Sequence, residues 1–555
     1  MKKRWGALAL AGVLGAAVVT GCSTGGNGEA TENQTSAGSQ VNAETSAAGE
    51  EGTAESQGKE DLVFVNYRDI RDLNPHLYAG EMYAQEMLYE TLVNITEDGY
   101  EGCLAESWDI SEDGKTYTFH IRPGVKFSDG EVCDAYAIKA NFDAIIENKD
   151  RHTWLEMMNL LVGVSAPDEN TFVIELSEPY YPMLTELGVT RPFAMISPKA
   201  MKNGSTKDGV EAYIGTGPYV LSEFVTDEYA IFTANPDYWG EQPAIKKITV
   251  KVIPDNQTRI LALEKGEIDL IFGKNMIDAD AVNQYMDKDG FTVSLSDPTS
   301  TRQIVLNTTD PILSDKNVRI ALQHATNKEN ISQGIFYGLE QPADTLFAKT
   351  VPYCDIDLEP YACDMVLAGQ LLDEAGWLMG SDGIREKDGQ KLNLDLLYNS
   401  DSVTEKSIAE YLQSEYQSIG IALNIHGEEE QSYRDNMKAG NFSMVFNICW
   451  GMPYDPQSSL AAMRAPVYGD FAAQQGLEDK TEIDDAITKI LVSTDETERQ
   501  ELYTYVLTRL HEDAVYIPLT YECNKAIYRS DMKGFHFTQT QYEVPFADFY
   551  FGEKK

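Results

Sequence analysis

The sequence predicts an α/β protein whose body is divided into two lobes. Short β-like runs, such as residues 62–65 and 248–253, alternate with stretches in which apolar residues recur every three or four positions, as in residues 318–325 and 406–418. The body from Leu62 to Lys555 is also longer than a single hydrophobic core usually supports. No internal repeat is visible, so solenoids and propellers are not expected.

Two extended segments are expected to connect the lobes. Residues 291–307 form an extended run in mid-chain, and residues 514–519 return near the C-terminus. We assign residues 61–296 and 523–555 to lobe I and residues 297–522 to lobe II. The cleft between two such lobes is the usual place for a small ligand.

The N-terminus has the pattern of an export signal. Lys2, Lys3 and Arg4 precede an apolar run that is too short to span a bilayer comfortably. The run ends in Val-Thr-Gly followed by Cys22, which resembles a lipobox. We therefore predict a signal peptide over residues 1–21 and lipidation of Cys22; the alternative is an ordinary signal peptide that ends near a cysteine.

Residues 22–60 are predicted to form the anchor and a flexible tether. The segment consists mostly of Gly, Ser, Thr, Ala, Glu, Asn and Gln, and Val41 is its only bulky aliphatic residue. Such a composition buries too little apolar surface to offset the entropy of ordering. The expected location is the extracellular face of the cytoplasmic membrane, with the body held by the lipid.

The charge balance excludes one class of partner. The chain has 44 basic and 89 acidic residues, for a net charge of −45. Removal of the three basic signal residues leaves 41 basic residues and a charge of −48. Phosphate backbones require basic surface, so nucleic acid is not an expected partner.

Six cysteines follow Cys22, which permits disulfides in an oxidising compartment without requiring them. Cys354 and Cys363 are the nearest pair and the leading candidates for a bridge. No CxxC or Cys/His spacing suggests a zinc site.

A family likeness is carried by residues 105–108, 111–119, 122–130, 215–219 and 235–240. Together these segments resemble the signature of the family 5 solute-binding proteins, which serve peptide and nickel importers. Their Asp-Gly pairs are typical of hairpin turns. The resemblance implies a two-lobed, hinge-closing α/β fold of the type II periplasmic, dipeptide-binding kind, with no catalytic residues or catalytic cofactor. It also implies an ABC permease and its ATPase as partners, and we expect the binding protein to be a monomer.

The resemblance extends to the nickel-binding branch over essentially the whole body. The segments that carry it are residues 73–78, 151–156, 180–182, 191–193, 343–347, 450–456 and 471–477. Members of this branch bind a nickel chelate, and two arginines hold the chelator's carboxylates. Arg151 and Arg191 match those arginines, and a guanidinium offers a rigid fork of donors to a carboxylate. The competing interpretation of each is a surface ion pair.

Aromatic side chains are expected to form the cavity walls, because flat rings suit imidazoles or a planar chelate. The resemblance assigns this role to Tyr78, Trp154, Trp450 and Tyr454, with Met82 beside them; ordinary core packing is the alternative.

One departure concerns the metal. Some relatives complete the nickel coordination with a histidine, and Tyr468 stands at that position here, while Gln457 occupies another place where a histidine might stand. A protonated phenol is a poor nickel ligand. We therefore expect no direct protein ligand from this loop: either the chelator saturates the metal, as two free histidines would, or the ligand is not a metal. His152 and His426 are alternative ligands, although a structural or exposed role is favoured for each.

Three other functions compete with the capture of a nickel chelate. A di- or oligopeptide binder usually provides an aspartate for the peptide's amino terminus, and Asp455 is available. An exported hydrolase would need a nucleophile beside a base, yet the only Gly-x-Ser-x-Gly match surrounds Ser23 at the signal cleavage point. A surface adhesin would not need two arginines in one cavity. The nickel or cobalt chelate is the preferred ligand, and the sequence does not distinguish these two metals.

Overall fold

The computed structural model describes residues 59–552. The predicted signal peptide, Cys22 and all but the last two residues of the tether lie outside the described residues. The body begins at Lys59, whose Nζ forms an ion pair with Asp269 at 2.6 Å. Among residues 59–552, no helix has both the length and the apolar character needed to cross a bilayer.

The described residues contain 24 strands and 16 α-helices. The strands are β1 (Asp61–Asn66), β2 (Val93–Thr96), β3 (Gly99–Gly102), β4 (Ala105–Ile110), β5 (Thr116–Ile121), β6 (Leu161–Asp168), β7 (Thr171–Leu176), β8 (Met201–Lys202), β9 (Ser205–Val210), β10 (Tyr219–Val225), β11 (Tyr229–Ala234), β12 (Lys247–Val252), β13 (Leu270–Phe272), β14 (Phe291–Leu306), β15 (Gln341–Pro342), β16 (Leu378–Met379), β17 (Arg385–Lys387), β18 (Gln390–Lys391), β19 (Asn393–Asn399), β20 (Ala422–Glu428), β21 (Met444–Ile448), β22 (Tyr516–Arg529), β23 (Met532–Lys533) and β24 (Tyr550–Phe551). The helices are α1 (Met82–Leu88), α2 (Ala135–Glu147), α3 (Glu156–Leu160), α4 (Met183–Leu187), α5 (Thr190–Phe193), α6 (Asn256–Glu264), α7 (Ala279–Tyr285), α8 (Lys316–His324), α9 (Lys328–Ile335), α10 (Met365–Glu374), α11 (Val403–Ser418), α12 (Glu430–Ala439), α13 (Gln457–Ala462), α14 (Gly469–Ala473), α15 (Lys480–Val492) and α16 (Glu496–Glu512).

This mixture confirms the predicted α/β class. The runs at residues 62–65 and 248–253 fall on β1 and β12, and the two periodic stretches fall on α8 and α11. Helix starts follow the expected capping chemistry, in which a short polar side chain accepts from a free backbone N–H. The side chain of Asp134 accepts from Ala137 N before α2, and that of Ser402 accepts from Glu405 N before α11.

One large sheet runs through the body, in the order β10-β11-β12-β1-β13-β22-β14-β21-β19-β20, with β15 also paired to β22. Its two long strands, β14 and β22, are antiparallel neighbours. One part of this pair lies against β13 and the other against β21. The extended segments expected from the sequence therefore cross between the two halves of the sheet.

Separate apolar clusters pack on the two halves of the sheet. One contains Phe64 and Ile248, and another contains Leu394 and Leu412, all fully or almost fully buried. The register between β14 and β22 shifts between Leu295 and Ser300, close to the predicted lobe limits at residues 296 and 522. This supports the proposed boundaries, which stay a prediction.

A buried charge network lies where the long strands cross. Glu522 on β22 accepts from Ser300 Oγ at 2.8 Å and from Lys274 Nζ at 3.2 Å, and it pairs with Arg302 on β14. Glu340 lies 3.7 Å from the Arg302 guanidinium and 3.8 Å from Lys525. Charged side chains are tolerated in the interior only when each keeps an oppositely charged partner.

The family-like hairpin has the predicted form. Strands β4 and β5 pair antiparallel, the turn between them contains Asp113 and Gly114, and Gly114 has a φ of +68°. Phe119 on β5 is fully buried, so the inner face of this hairpin packs into the core.

Cys354 and Cys363, the leading candidates for a bridge, do not form one. All six described cysteines are free thiols; Cys354 is buried, whereas Cys363 is exposed. The thiol of Cys354 lies in the core and is thereby separated from the exposed Cys363.

Candidate ligand-binding site

The hydroxyl of Tyr78 lies at the centre of a group of polar and aromatic side chains. Trp154 Nε1 donates to it at 2.8 Å, and His152 Nδ1 lies 2.7 Å from it. Tyr78 lies in the loop before α1, and the other two residues lie between α2 and α3. Two segments of the chain therefore converge on one phenol oxygen.

The aromatic residues expected to line the cavity do lie together. The Trp154 ring centroid is 5.7 Å from that of Trp450 and 5.8 Å from that of Tyr454. Tyr468 continues the cluster, 5.8 Å from Trp450. These pairs are edge-to-face, which is a favourable arrangement of ring quadrupoles. Each ring is partly rather than fully buried, so the cluster keeps some open surface.

The loop after β21 positions Trp450 and Tyr454, and it depends on Gly451. The φ of Gly451 is +78°, and a Cβ there would lie 2.2 Å from Gln541 Nε2 and 2.7 Å from Thr299 O. Gln541 Nε2 donates to the carbonyl of Trp450 at 2.7 Å. A side chain at residue 451 would therefore displace the loop from both β14 and the C-terminal segment.

Asp455 and Gln457 are committed to structural contacts. Asp455 is 3% exposed, and its carboxylate accepts from Gly451 N at 2.7 Å and from Ser459 Oγ. Gln457 Nε2 donates to Thr185 Oγ1 at 3.0 Å. An aspartate used in this way stabilises the loop and is not placed to receive a peptide's amino terminus.

Arg191 is half-buried between the buried residues Val189 and Pro192. Its Nη1 donates to the carbonyls of Tyr78 at 3.0 Å and Gly80 at 3.1 Å. No carboxylate of the described residues lies within ion-pair distance of its guanidinium. The remaining N–H donors are thus unused, next to the aromatic cluster.

Arg151 ends the 3₁₀ turn Lys149–Arg151 and is exposed. Within residues 59–552 its guanidinium makes no hydrogen bond or ion pair, and its charge acts on both Tyr78 and His152. Of the two predicted arginines, the half-buried Arg191 contacts Tyr78, and the exposed Arg151 acts on it through its charge.

Met82 is the first residue of α1 and is 8% exposed. It comes two residues after Gly80, whose carbonyl accepts a hydrogen bond from Arg191, so it is close to the cluster along the chain. Its contact with a ligand stays a prediction.

Three further side chains border the cluster and are not among the predicted ligand contacts. His152 is fully buried beside Tyr78, in keeping with the structural role that the sequence analysis favoured over metal ligation. Glu86 receives a hydrogen bond from Thr190 Oγ1 at 3.1 Å, and burial followed by the nearby Glu543 raises the pKa of its carboxyl well above the usual value. Tyr542, which is 42% exposed, lies close enough to Arg191 to interact electrostatically. No local sequence pattern marks these residues, because only tertiary folding brings them together.

Glu86 and Thr190 also border a cavity of about 580 Å³. Its other acidic residues include Glu90, Glu543 and Asp548. Burial raises the pKa of the Glu90 and Glu543 carboxyls as well as that of Glu86.

The described residues do not offer a protein-based metal centre. Nowhere in residues 59–552 do three or more His, Cys, Asp or Glu side chains form a group that could hold a metal ion. His426 is exposed, and its Nε2 lies 3.0 Å from the carboxylate of Asp395. Burial lowers the pKa of His152 to about 4, and its Nδ1 faces Tyr78.

Comparisons with known proteins identify relatives of the whole body. Residues 99–470 match the family described as bacterial extracellular solute-binding proteins, family 5. A nickel-binding periplasmic protein from Escherichia coli (strain K12) is 43% identical over 483 residues, which cover 86% of this chain and 92% of the relative.

Solved structures agree with this relationship. The crystal structure of NikA from Brucella suis, in complex with Fe(III)-EDTA, has a TM-score of 0.86 and 46% identity, and the match covers 88% of this chain and 99% of that one. The structure of DppA from Helicobacter pylori, in complex with the peptide STSA, has a TM-score of 0.72 and 26% identity, covering 90% of this chain and all of the other. Both the nickel-related and peptide-related members therefore share this two-lobed fold.

Proposed function

The chain belongs to the family 5 extracellular solute-binding proteins, the non-enzymatic binding components of ABC importers, and on that premise we propose that it captures a fully chelated nickel or cobalt ion. Proteins of this family bind small molecules and work with a membrane permease and its ATPase. The metal is cargo, and no catalytic cofactor takes part.

The observation that carries the proposal is that Arg191 contacts Tyr78, while Arg151 is near enough for its charge to act on the same phenol. Neither guanidinium has a carboxylate partner among residues 59–552. Two unpaired guanidinium groups favour a ligand with more than one carboxylate, because charge-assisted, bidentate hydrogen bonds are strong and directional. The rings of Trp154, Trp450 and Tyr454 supply flat apolar walls for the rest of such a ligand.

The chelator, rather than the protein, is expected to complete the metal's coordination. Tyr468 offers a phenol where an imidazole would be a better nickel ligand, and the ring of His152 is buried. Nickel held by two histidine molecules fits this requirement, as it presents two carboxylates and two imidazoles while leaving no open position for the protein.

Capture is proposed to work by lobe closure. A ligand held by Arg151 and Arg191 from lobe I and by Trp450 and Tyr454 from lobe II stabilises the closed form, because it touches both lobes. The closed monomer then delivers the chelate to the permease. On this account, lipidation of Cys22 holds the protein at the outer face of the membrane.

The second candidate ligand is a di- or oligopeptide. It is favoured by a putative peptide-binding relative from Brucella ovis, 32% identical over 316 residues, and by the peptide-bound structural neighbour. The commitment of Asp455 to Gly451 N and Ser459 Oγ weighs against it, since that carboxylate is not free for an ammonium group.

X-ray absorption at the nickel edge tests the proposal. The protein is loaded with nickel and excess L-histidine, and its spectrum is compared with that of the free chelate. We expect the same set of nitrogen and oxygen ligands in both, together with a native mass that corresponds to one nickel and two histidines. A coordination shell that includes a protein side chain, or a mass gain of nickel alone, would contradict the proposal.

A further inference from the structure

His152 has no evident role in holding a ligand, yet it lies fully buried beneath the aromatic cluster. Its Nδ1 is 2.7 Å from Tyr78 Oη, while its Nε2 is buried and has no hydrogen-bond partner among the described residues. The question is which ring nitrogen carries the proton, because this decides what the Tyr78 hydroxyl can offer to a ligand.

The position of the proton on the His152 ring follows from the hydrogen-bond partners available to its two nitrogens. A buried N–H without an acceptor is rare in proteins, and an unfilled acceptor is tolerated more often. A proton on Nε2 would be such an unpaired donor, whereas a proton on Nδ1 has Tyr78 Oη as its acceptor. The neutral ring with the proton on Nδ1 is therefore favoured.

With that proton in place, both lone pairs of the phenol oxygen are occupied. One accepts from Trp154 Nε1 at 2.8 Å, and the other accepts from His152 Nδ1. A hydroxyl has two acceptor positions and one donor. No other hydrogen bond involves Tyr78 Oη within residues 59–552. Any further hydrogen bond of this hydroxyl is therefore one in which it donates its proton.

Building on the proposed function, we infer that His152 is a positioning residue that, together with Trp154, turns Tyr78 into an obligate hydrogen-bond donor toward a carboxylate of the bound chelate. The Tyr78 ring lies 5.7 Å from the Arg191 guanidinium, so the directed O–H and the guanidinium can address the same anionic group. Tyr78 therefore selects an acceptor on the ligand and rejects an N–H group at the same place.

Burial keeps both groups of this arrangement neutral over the physiological range. Burial is the main cause that lowers the pKa of His152 to about 4, and the charge of Arg151 acts in the same direction. Burial also raises the pKa of Tyr78 to about 12, against the opposing effects of Trp154, Arg191 and Arg151. The buried His76, whose own pKa burial lowers to about 3, adds no charge.

The first test does not require a ligand. Nitrogen NMR of the ¹⁵N-histidine-labelled protein identifies the protonated ring nitrogen, and the His152 signal is assigned by its loss in His152→Asn. We expect the proton on Nδ1, with no titration between about pH 8 and about pH 5.5, where an ordinary histidine titrates. A proton on Nε2, or titration in this range, overturns the inference whatever the protein transports.

The second test is a double-mutant cycle on binding of nickel with excess L-histidine. Tyr78→Phe is expected to weaken binding about 10- to 100-fold, the range for a hydrogen bond to a charged group. If His152 acts through Tyr78, His152→Leu weakens wild-type binding but has no further effect in the Tyr78→Phe background. His152→Asn, whose amide can donate to the same oxygen, is expected to lose less affinity than His152→Leu.

Additive losses in the cycle would mean that His152 acts only by supporting the fold, and would overturn the inference. If the wild-type protein does not bind nickel with histidine, the proposed function fails, and the tautomer measurement still decides the state of His152.

Discussion

Trp154 and Trp450 lie far apart in the sequence, yet their rings meet edge to face with centroids 5.7 Å apart. Trp154 precedes α3, and Trp450 follows β21. The contact joins the two parts of the chain that the sequence assigns to different lobes. A ligand bound beside these rings can therefore touch both lobes and stabilise their closure.

Replacement of Arg191 by alanine is expected to weaken the binding of nickel–histidine by about 100-fold or more, or about 3 kcal/mol. The reason is that a desolvated carboxylate of the chelate loses its cation and its paired donors. Calorimetric titration measures the change. Arg529→Ala is a matched control, because Arg529 pairs with Asp531 at an exposed site, and an effect below about threefold is expected there. Unchanged affinity in Arg191→Ala would remove this residue from the site.

Replacement of Arg151 by alanine is expected to have a smaller effect, about three- to tenfold, because its guanidinium is exposed. The loss should shrink as salt rises from about 0.05 M to about 0.5 M, since added ions screen an exposed charge. Lys139→Ala, which removes an exposed partner of Asp143, is the control for net charge. A large loss that does not depend on salt would show that Arg151 becomes buried against the ligand.

Replacement of Tyr468 by histidine tests the missing metal ligand. An imidazole at this position can coordinate nickel, so the variant is expected to bind nickel about tenfold more tightly when histidine is limiting. A shift in the visible absorption of bound nickel would accompany the new ligand. Tyr505→His, at a position on α16 that is 38% exposed, controls for an added surface histidine. Identical spectra for wild type and Tyr468→His would indicate that residue 468 does not reach the metal.

The charge network between β14 and β22 predicts a pH-dependent stability. Burial acts to raise the pKa of Glu522, but the charges of Arg302 and Lys274 outweigh it and lower the value to about 2. A folded pKa below the unfolded value of about 4.3 means that the stabilisation is complete above that value and is lost as the pH falls toward 2.

Glu522→Gln is accordingly expected to destabilise the protein by about 3–5 kcal/mol at neutral pH, because Arg302 stays buried without its partner. The difference from wild type in the free energy of unfolding should shrink below about pH 4.3. Urea denaturation at several pH values measures it, with Glu410→Gln at an exposed helix pair as control. A difference that stays constant with pH would contradict the network's assigned role.

Much of the architecture could be predicted from local pattern. The alternation of β-like and periodic stretches predicted β1, β12, α8 and α11. The turn at Gly114 was predicted by its Asp-Gly pair, because glycine readily adopts the positive φ found there. The aromatic cluster was predicted through resemblance alone, since nothing local distinguishes Trp154 or Trp450 from core residues.

Other features could not be predicted because they depend on long-range contacts. The role of His152 depends on Tyr78 Oη, and the loop at Gly451 depends on Gln541 from the C-terminal segment. Proximity in sequence made Cys354 and Cys363 the leading candidates for a bridge. It could not reveal that one thiol is buried and the other exposed.

The central claim is that the protein recognises a metal chelate and not a bare ion or a peptide. Calorimetric titration of the metal-free protein with nickel alone, nickel plus excess L-histidine, and a mixed dipeptide pool tests it most directly. We predict saturable binding only when nickel and histidine are present together. Heat from the dipeptide pool alone would contradict the account and assign the protein to the peptide-binding branch of its family.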